Sequence, residues 1–207
     1  MKLIIEFTGP AGSGKTYISE KIAEKIIEDG QACVIQKKLS IKQKTFMMLN
    51  FRLVFKTLFM IFKLGVKNKK NVFRTLISYD YFLSNSRKGY FVTSEGLHHK
   101  AVQIAEKEGL NFQCLLQKLW IGYGEPNIIV VLECEPKTLL QNRKARGLDY
   151  DFNLKEEQLA KSHKKRKFVY NKYLKDDKTI NSIFINTSNR DVDIQELFCK
   201  IQRKIRK

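Results

Sequence analysis

Apolar residues run without a break from Leu3 to Ile5 and resume at Phe7, and the run stops at Thr8-Gly9. A short β-branched run that ends at a glycine predicts a buried strand over residues 2–7. Ile18, Ile22, Ala23 and Ile26 then recur at helical spacing, with Gly30 as the stop. "ACVIQ" predicts a second strand. Residues 41–64 and 72–87 carry helical patterns, the first broken near Asn50. "GYFVTSEG" predicts a third strand, followed by helices over 99–108 and 112–120 that Gly109 separates. "NIIVVLEC" after Pro126 is the clearest strand, and "PKTLLQNRKARG" predicts a helix with Pro in its first turn and Gly147 at its end. A polar, Lys-rich helix is expected from Leu154 to Lys175, a fifth strand in "NSIFINTS", and a closing amphipathic helix with Ile194, Leu197, Phe198 and Ile201 on one face.

Five strands alternating with helices predict an α/β fold: a three-layer α/β/α arrangement around a five-stranded parallel sheet with right-handed crossovers. The 207 residues suffice for one domain with one well-buried core. Ligands of such sheets bind beyond the carboxyl ends of the strands. That places residues 8–16, 94–99, 134–135 and 187–189 around one crevice.

Composition changes this picture in one respect. The formal net charge is +18, from 39 basic and 21 acidic residues, and it is uneven. Between Gln31 and Tyr79 there is no Asp or Glu, while eleven Lys and Arg occur there. Such a surface favours anionic partners: nucleotide phosphates, nucleic acid or an acidic lipid face. A Lys-rich overall composition is the plain alternative. No nucleic-acid motif accompanies the charge, so nucleic acid is the least favoured partner. The apolar stretch "FRLVFKTLFMIFKLG" is interrupted by Arg52, Lys56 and Lys63 and falls short of the roughly 20 apolar residues that a span needs. It has the content of an interfacial helix instead. With no signal peptide in the pattern, a cytoplasmic protein is expected, with the inner membrane face as a contact in the interfacial case. The four cysteines are far apart and lack metal spacing, which suits reduced thiols.

The chemistry concentrates in Gly9-Pro10-Ala11-Gly12-Ser13-Gly14-Lys15-Thr16, which fits G-x-x-x-x-G-K-[ST] in full. Glycines let successive backbone N–H groups turn inward onto phosphates, and the following helix adds its positive end. Lys15 is expected to reach the β- and γ-phosphates of ATP, and the Thr16 hydroxyl to bind Mg²⁺. The second metal group is expected at the end of a neighbouring strand, where Glu95 stands. It would hold the metal's water shell or position an acceptor; an ordinary loop glutamate is the alternative. Glu6, inside the first strand, is expected to be structural or to support the site from behind. His98 and His99 are near enough to touch a ligand, although loop histidines more often cap helices. Arg143 and Arg146 lie three apart before a glycine, which suits a lid that brings guanidinium groups onto a transferring phosphoryl group. A solvated basic helix end is the alternative there.

The order of "GPAGSGKT", "LISYDYFLSNSRKGYFVTSEG" and "EPNIIVVLECEPKTLLQNRKARG" resembles thymidylate kinases and their nucleoside-monophosphate kinase relatives. The resemblance covers residues 2–203 and is weakest over 39–73. It implies a P-loop kinase domain over 1–207, with an acceptor-side helical insert at about 39–87 and a lid at about 143–155. It also implies lid roles for Arg143 and Arg146, and a place by the adenine for residues 186–189. The chain departs from the family on the acceptor side. Ser94-Glu95-Gly96 stands where an Asp-Arg pair is usual, and Tyr79, Asp80 and Tyr81 where an arginine for thymidylate is usual. "EFTG" lacks the acid beside the glycine. The resemblance therefore implies an ATP-dependent phosphotransferase with Lys15, Glu95, Arg143 and Arg146 at the reaction, and an acceptor that need not be thymidylate. The competing expectation is a nucleotide-dependent ATPase or binding protein at an anionic membrane surface. The acceptor would be a small nucleotide or phosphorylated compound, and a homodimer remains open.

Overall fold

The computed structural model describes residues 2–37, 39–86, 89–145, 181–188 and 191–206, together with Glu157, Ala160, Lys161, Lys164 and Leu174. Residues 146–155 of the lid expected at 143–155, and most of the helix expected from Leu154 to Lys175, lie outside the described residues.

Strand β1 (Lys2–Thr8) occupies the middle of a five-stranded sheet of order β2-β3-β1-β4-β5. Its neighbours are β3 (Gly89–Thr93) and β4 (Ile128–Glu133), with β2 (Cys33–Ile35) and β5 (Ser182–Asn186) at the edges. Every pairing is parallel, with Glu6 opposite Thr93, Thr8 opposite Val131 and Glu133 opposite Asn186. Chain order reverses at β1, so the crevice beyond its carboxyl end is a topological switch point.

The apolar runs of the sequence are buried on both faces, as a parallel sheet requires. Ile5 and Phe7 of β1 point to one side, onto Ile18, Ile22 and Ile26 of α1 (Lys15–Glu28) and Leu197, Phe198 and Ile201 of the last helix. Ile4 and Phe91 point to the other side, onto four helices: α3 (Phe51–Leu64), α4 (Lys69–Asn85), α5 (Leu97–Glu108) and α6 (Phe112–Tyr123). Helix α7 (Pro136–Lys144) follows β4, and the last helix, α8 (Ile194–Ile205), follows β5. The sheet therefore lies between two helical layers.

Local chemistry sets the helix ends. Ser40 and Gln43 form a reciprocal capping box at the start of α2 (Ile41–Leu49). Asn50 ends that helix, and its Oδ1 accepts from the Leu53 N–H at 3.2 Å, so α3 starts on a new axis bent by 80°. The break expected near Asn50 is there. Tyr79 and Asp80 of "SYDYF" turn inward. Tyr79 is fully buried against Phe91 and Tyr123, and the Lys56 ammonium pairs with Asp80 at 2.7 Å under the core. Tyr81 packs edge-on to Phe46 and Phe82. Their spacing on α4 turns the first two toward the core, away from a ligand.

One buried carboxyl ties β1 to α5. Glu6 is fully buried, and its Oε1 accepts the His99 N–H at 3.1 Å. Burial pushes its pKa up to about 8, although the N–H groups of Leu97, His98 and His99 at the helix start pull the other way. A Cβ on Gly96 would stand 2.2 Å from Glu6 Cδ, so only glycine lets the helix end approach the carboxyl. We expect Gly96→Ala to cost about 2–3 kcal/mol in urea unfolding; unchanged stability would disprove the close approach. The folded carboxyl keeps a proton that the unfolded one, near 4.5, has released. Folding stability should therefore fall as pH rises from about 5 to about 8, and Glu6→Gln should flatten that slope in the melting temperature.

Candidate functional site

The glycine loop leaves β1 at its carboxyl end and enters α1. Gly9, Gly12 and Gly14 have φ of 148°, 92° and 85°, which side chains resist. Two of them are also sterically required. A Cβ on Gly9 would stand 2.6 Å from the Leu132 carbonyl, and one on Gly12 would stand 3.0 Å from the Leu139 carbonyl. The loop is thus wedged between the end of β4 and helix α7. Ser13 closes it from inside, its hydroxyl donating to the Pro10 carbonyl at 2.9 Å. The Lys15 ammonium is buried and donates to the Gly9 and Pro10 carbonyls at 3.0 and 2.8 Å, so it lies across the loop. Ala11 is exposed at the tip. This backbone suits a polyphosphate: glycine-only turns, a helix N-terminus and one buried ammonium face the same place.

Helix α7 braces the loop through a residue that the sequence did not single out. Asn142 donates from Nδ2 to the Gly12 carbonyl at 2.8 Å. One residue on, Arg143 lays its stem on Gly12, with Cγ 3.1 Å from where a Cβ would be. Arg143 is half-buried there, beside the phosphate cradle. Arg146 lies outside the described residues.

Beyond the loop, a cleft of about 1500 Å³ opens between the carboxyl ends of β2 and β3 and helices α2–α4. Thr16 and Glu95, proposed from the sequence as metal groups, both line it, and Glu20 joins them. Thr16 and Glu20 lie one turn apart on α1 and Glu95 follows β3, and each offers the oxygen donors that Mg²⁺ takes. The opposite wall is cationic and apolar. Lys44, Lys70 and Arg74 line it, with Met47, Phe73 and Ile77 between them. Lys70, Phe73, Arg74, Ile77 and Ser78 all face the cleft from α4. Their i, i+3, i+4, i+7, i+8 spacing puts them on one face of the helix, and it ends at Ser78, the first residue of "SYDYF".

His98 and His99 face away from this cleft. His98 is fully buried, edge-on to Phe112 at 5.2 Å, and burial pushes its pKa down to about 3. The His99 ring meets Gln103 at 2.9 Å. Both are buried at the start of α5. At the far side of the loop, β4 and β5 continue pairing past their ends. The Thr187 N–H donates to the Glu133 carbonyl at 2.7 Å, and the Glu135 N–H to the Ser188 hydroxyl at 3.0 Å. Asn189 lies outside the described residues.

No protein-family model matches this chain, and no curated protein matches it. Solved structures do. A deoxyadenosine kinase from M. mycoides, determined with the products dCMP and a flexible dCDP, superimposes with a TM-score of 0.50 at 16% identity. The match covers 100% of this chain and 98% of that one. A second structure of that enzyme, with bound dCTP, gives 0.51 at 16% identity and covers 99% of each chain. The likeness to thymidylate kinases seen in the sequence is met at the coarser level of the common fold. Five parallel strands in the order found, flanked by helices and carrying the glycine loop after the first strand, make this chain a P-loop kinase fold.

Proposed function

We propose that this protein is an ATP-dependent phosphotransferase of nucleoside-monophosphate kinase type, whose acceptor is a small nucleotide or phosphorylated compound. One observation carries this function: the cleft that begins at Thr16 and Glu95 continues into a cation-lined chamber. At about 1500 Å³ it exceeds the roughly 300–1000 Å³ of a site for one small ligand. A hydrolase needs room for a water beside the phosphates, whereas a transferase needs this second chamber. The bound dCMP, dCDP and dCTP of the deoxyadenosine kinase structures favour a nucleoside-type acceptor.

In this mechanism ATP supplies the phosphoryl group. The glycine-loop N–H groups and Lys15 hold its phosphates, with Lys15 exchanging the Gly9 and Pro10 carbonyls for phosphate oxygens. Thr16 and Glu95 would hold Mg²⁺. Lys70 and Arg74 take the anionic acceptor and aim it along the cleft, and the Phe73 ring beside them offers a face for a base. Arg143, based on Gly12, meets the charge that develops on the transferring group. Arg146 and the segment after it would close over the reaction and keep water out.

ADP release should be measured with a panel of nucleosides, nucleoside monophosphates and phosphorylated sugars. We expect one acceptor class to stimulate turnover, and Lys15→Ala to lower it at least about 100-fold with the fold intact by circular dichroism. Turnover that survives this substitution, or that no acceptor changes, sinks the proposal. The two arginines should then separate. Arg74→Ala should raise acceptor KM about tenfold with ATP KM unchanged, and Arg143→Ala should lower kcat with little change in either KM. The reverse pattern would exchange their roles.

A further inference from the structure

Helix α3 is apolar nearly all round. Leu53, Met60, Ile61 and Leu64 are buried in the core. Phe51, Phe55, Phe59 and Phe62, at i, i+4, i+8 and i+11, point to solvent with 73%, 68%, 65% and 84% exposure. Leu58 lies in the same arc at 49%. Helix α2, joined to it through the bend at Asn50, adds exposed Ile41, Met48 and Leu49. Four phenylalanines aligned on one solvent face mark an interaction surface rather than scattered exposure.

The surroundings of this face decide what it meets. Arg52 and Lys63 follow the phenylalanine arc on the same helix, and both are exposed. Lys42 and Lys44 on α2 and Lys67, Lys69 and Lys70 at the α3–α4 turn surround it. No acidic residue occurs from Gln31 to Tyr79 to balance them. A second copy docking here by two-fold symmetry would set cations against cations. A nucleic acid would meet the cations but leave a convex aromatic stripe facing phosphates. An anionic bilayer satisfies both features, since its headgroups take the Lys and Arg and its acyl boundary takes the rings.

We propose that the α2–α3 face docks this protein on the surface of an anionic lipid bilayer. It lies on the bilayer and does not span it. No single described helix is long and apolar enough to cross, and α2 and α3 qualify by length and composition only together, across their 80° bend. The core contacts of Leu53, Met60, Ile61 and Leu64 hold α3 to the domain while its phenylalanines enter the interface. Docking also gives the cleft an orientation. Met48, Leu58 and Phe62 belong both to the exposed face and to the cleft lining, so the cleft mouth meets the membrane plane. The docking itself does not depend on the phosphotransfer proposal, because vesicle binding is read without nucleotide.

The test is co-sedimentation of the full chain with vesicles of phosphatidylcholine alone and of phosphatidylcholine with 30 mol% phosphatidylglycerol, about the composition that gives a clear surface charge. We expect binding to the anionic vesicles at least about tenfold stronger than to the neutral ones, weakened by salt. The triple substitution Phe51→Ser, Phe55→Ser, Phe59→Ser should abolish it, with circular dichroism and ATP affinity unchanged. If that variant fails to fold, Arg52→Glu with Lys63→Glu should reduce anionic binding about tenfold. Three results overturn the proposal. They are no preference for anionic vesicles by folded protein, binding that survives the folded substitutions, and a dimer in sedimentation velocity that the same phenylalanines hold together without vesicle binding. Absence of vesicle binding by the unsubstituted protein, with acceptor-stimulated turnover intact, would refute docking alone.

Discussion

Everything at the nucleotide end of this molecule depends on the space between the glycine loop and its neighbours. The Leu132 carbonyl and the Leu139 carbonyl approach Gly9 and Gly12 so closely that a single Cβ would displace them. The end of β4 and helix α7 lie directly against the loop at these two glycines. That wedge aims the loop N–H groups, directs Lys15 across the mouth and places Arg143 at the cradle. It also joins the first half of the sheet to the second, since β1 carries the loop while β4 and α7 confine it. A mobile loop would lose entropy on each binding event, whereas this one is already ordered.

A similar constraint operates one strand over. Glu6 sits where a carboxyl is poorly solvated, and α5 begins where a side chain at residue 96 would collide with it. The N–H groups at the helix start partly offset the cost of burial. This contact holds the β3–α5 turn, which carries Ser94 and Glu95 into the cleft. Acid and glycine therefore act on the site from behind, without lining the cleft themselves. His98 and His99 belong to the same support, packed beneath the turn rather than facing the cleft.

Helix α3 faces two ways, and that resolves an apparent conflict in the chain. A basic, phenylalanine-rich segment can be read as the wall of an acceptor site or as a membrane-surface helix. Its buried residues pack in the core with α4 and α6, while its outer arc is exposed. Both roles fit one helix because its 100° spacing separates Met60 and Ile61 from Phe51 and Phe62.

Much of the architecture was written in the residue pattern. Apolar runs marked all five strands, with glycine or proline beside all but the fifth, and helical spacing marked α1 and α8. The glycine loop identified itself because its chemistry is local: eight consecutive residues carry the whole cradle. The cleft wall was less legible. Lys70 and Arg74 were visible as cations, but nothing local says which face of α4 turns inward. Asp80 pairs with Lys56, 24 positions earlier in the chain. Asn142 and Gly96 were silent altogether, since their meaning is the nearness of Gly12 and Glu6 across 130 and 90 positions. By itself, then, the sequence determined the elements, the phosphate cradle and the excess of positive charge, which depend on neighbours in the chain. Which side chains meet in the cleft, which carboxyl is buried and which phenylalanines face solvent were decided by tertiary packing, because each depends on what a distant segment brings alongside.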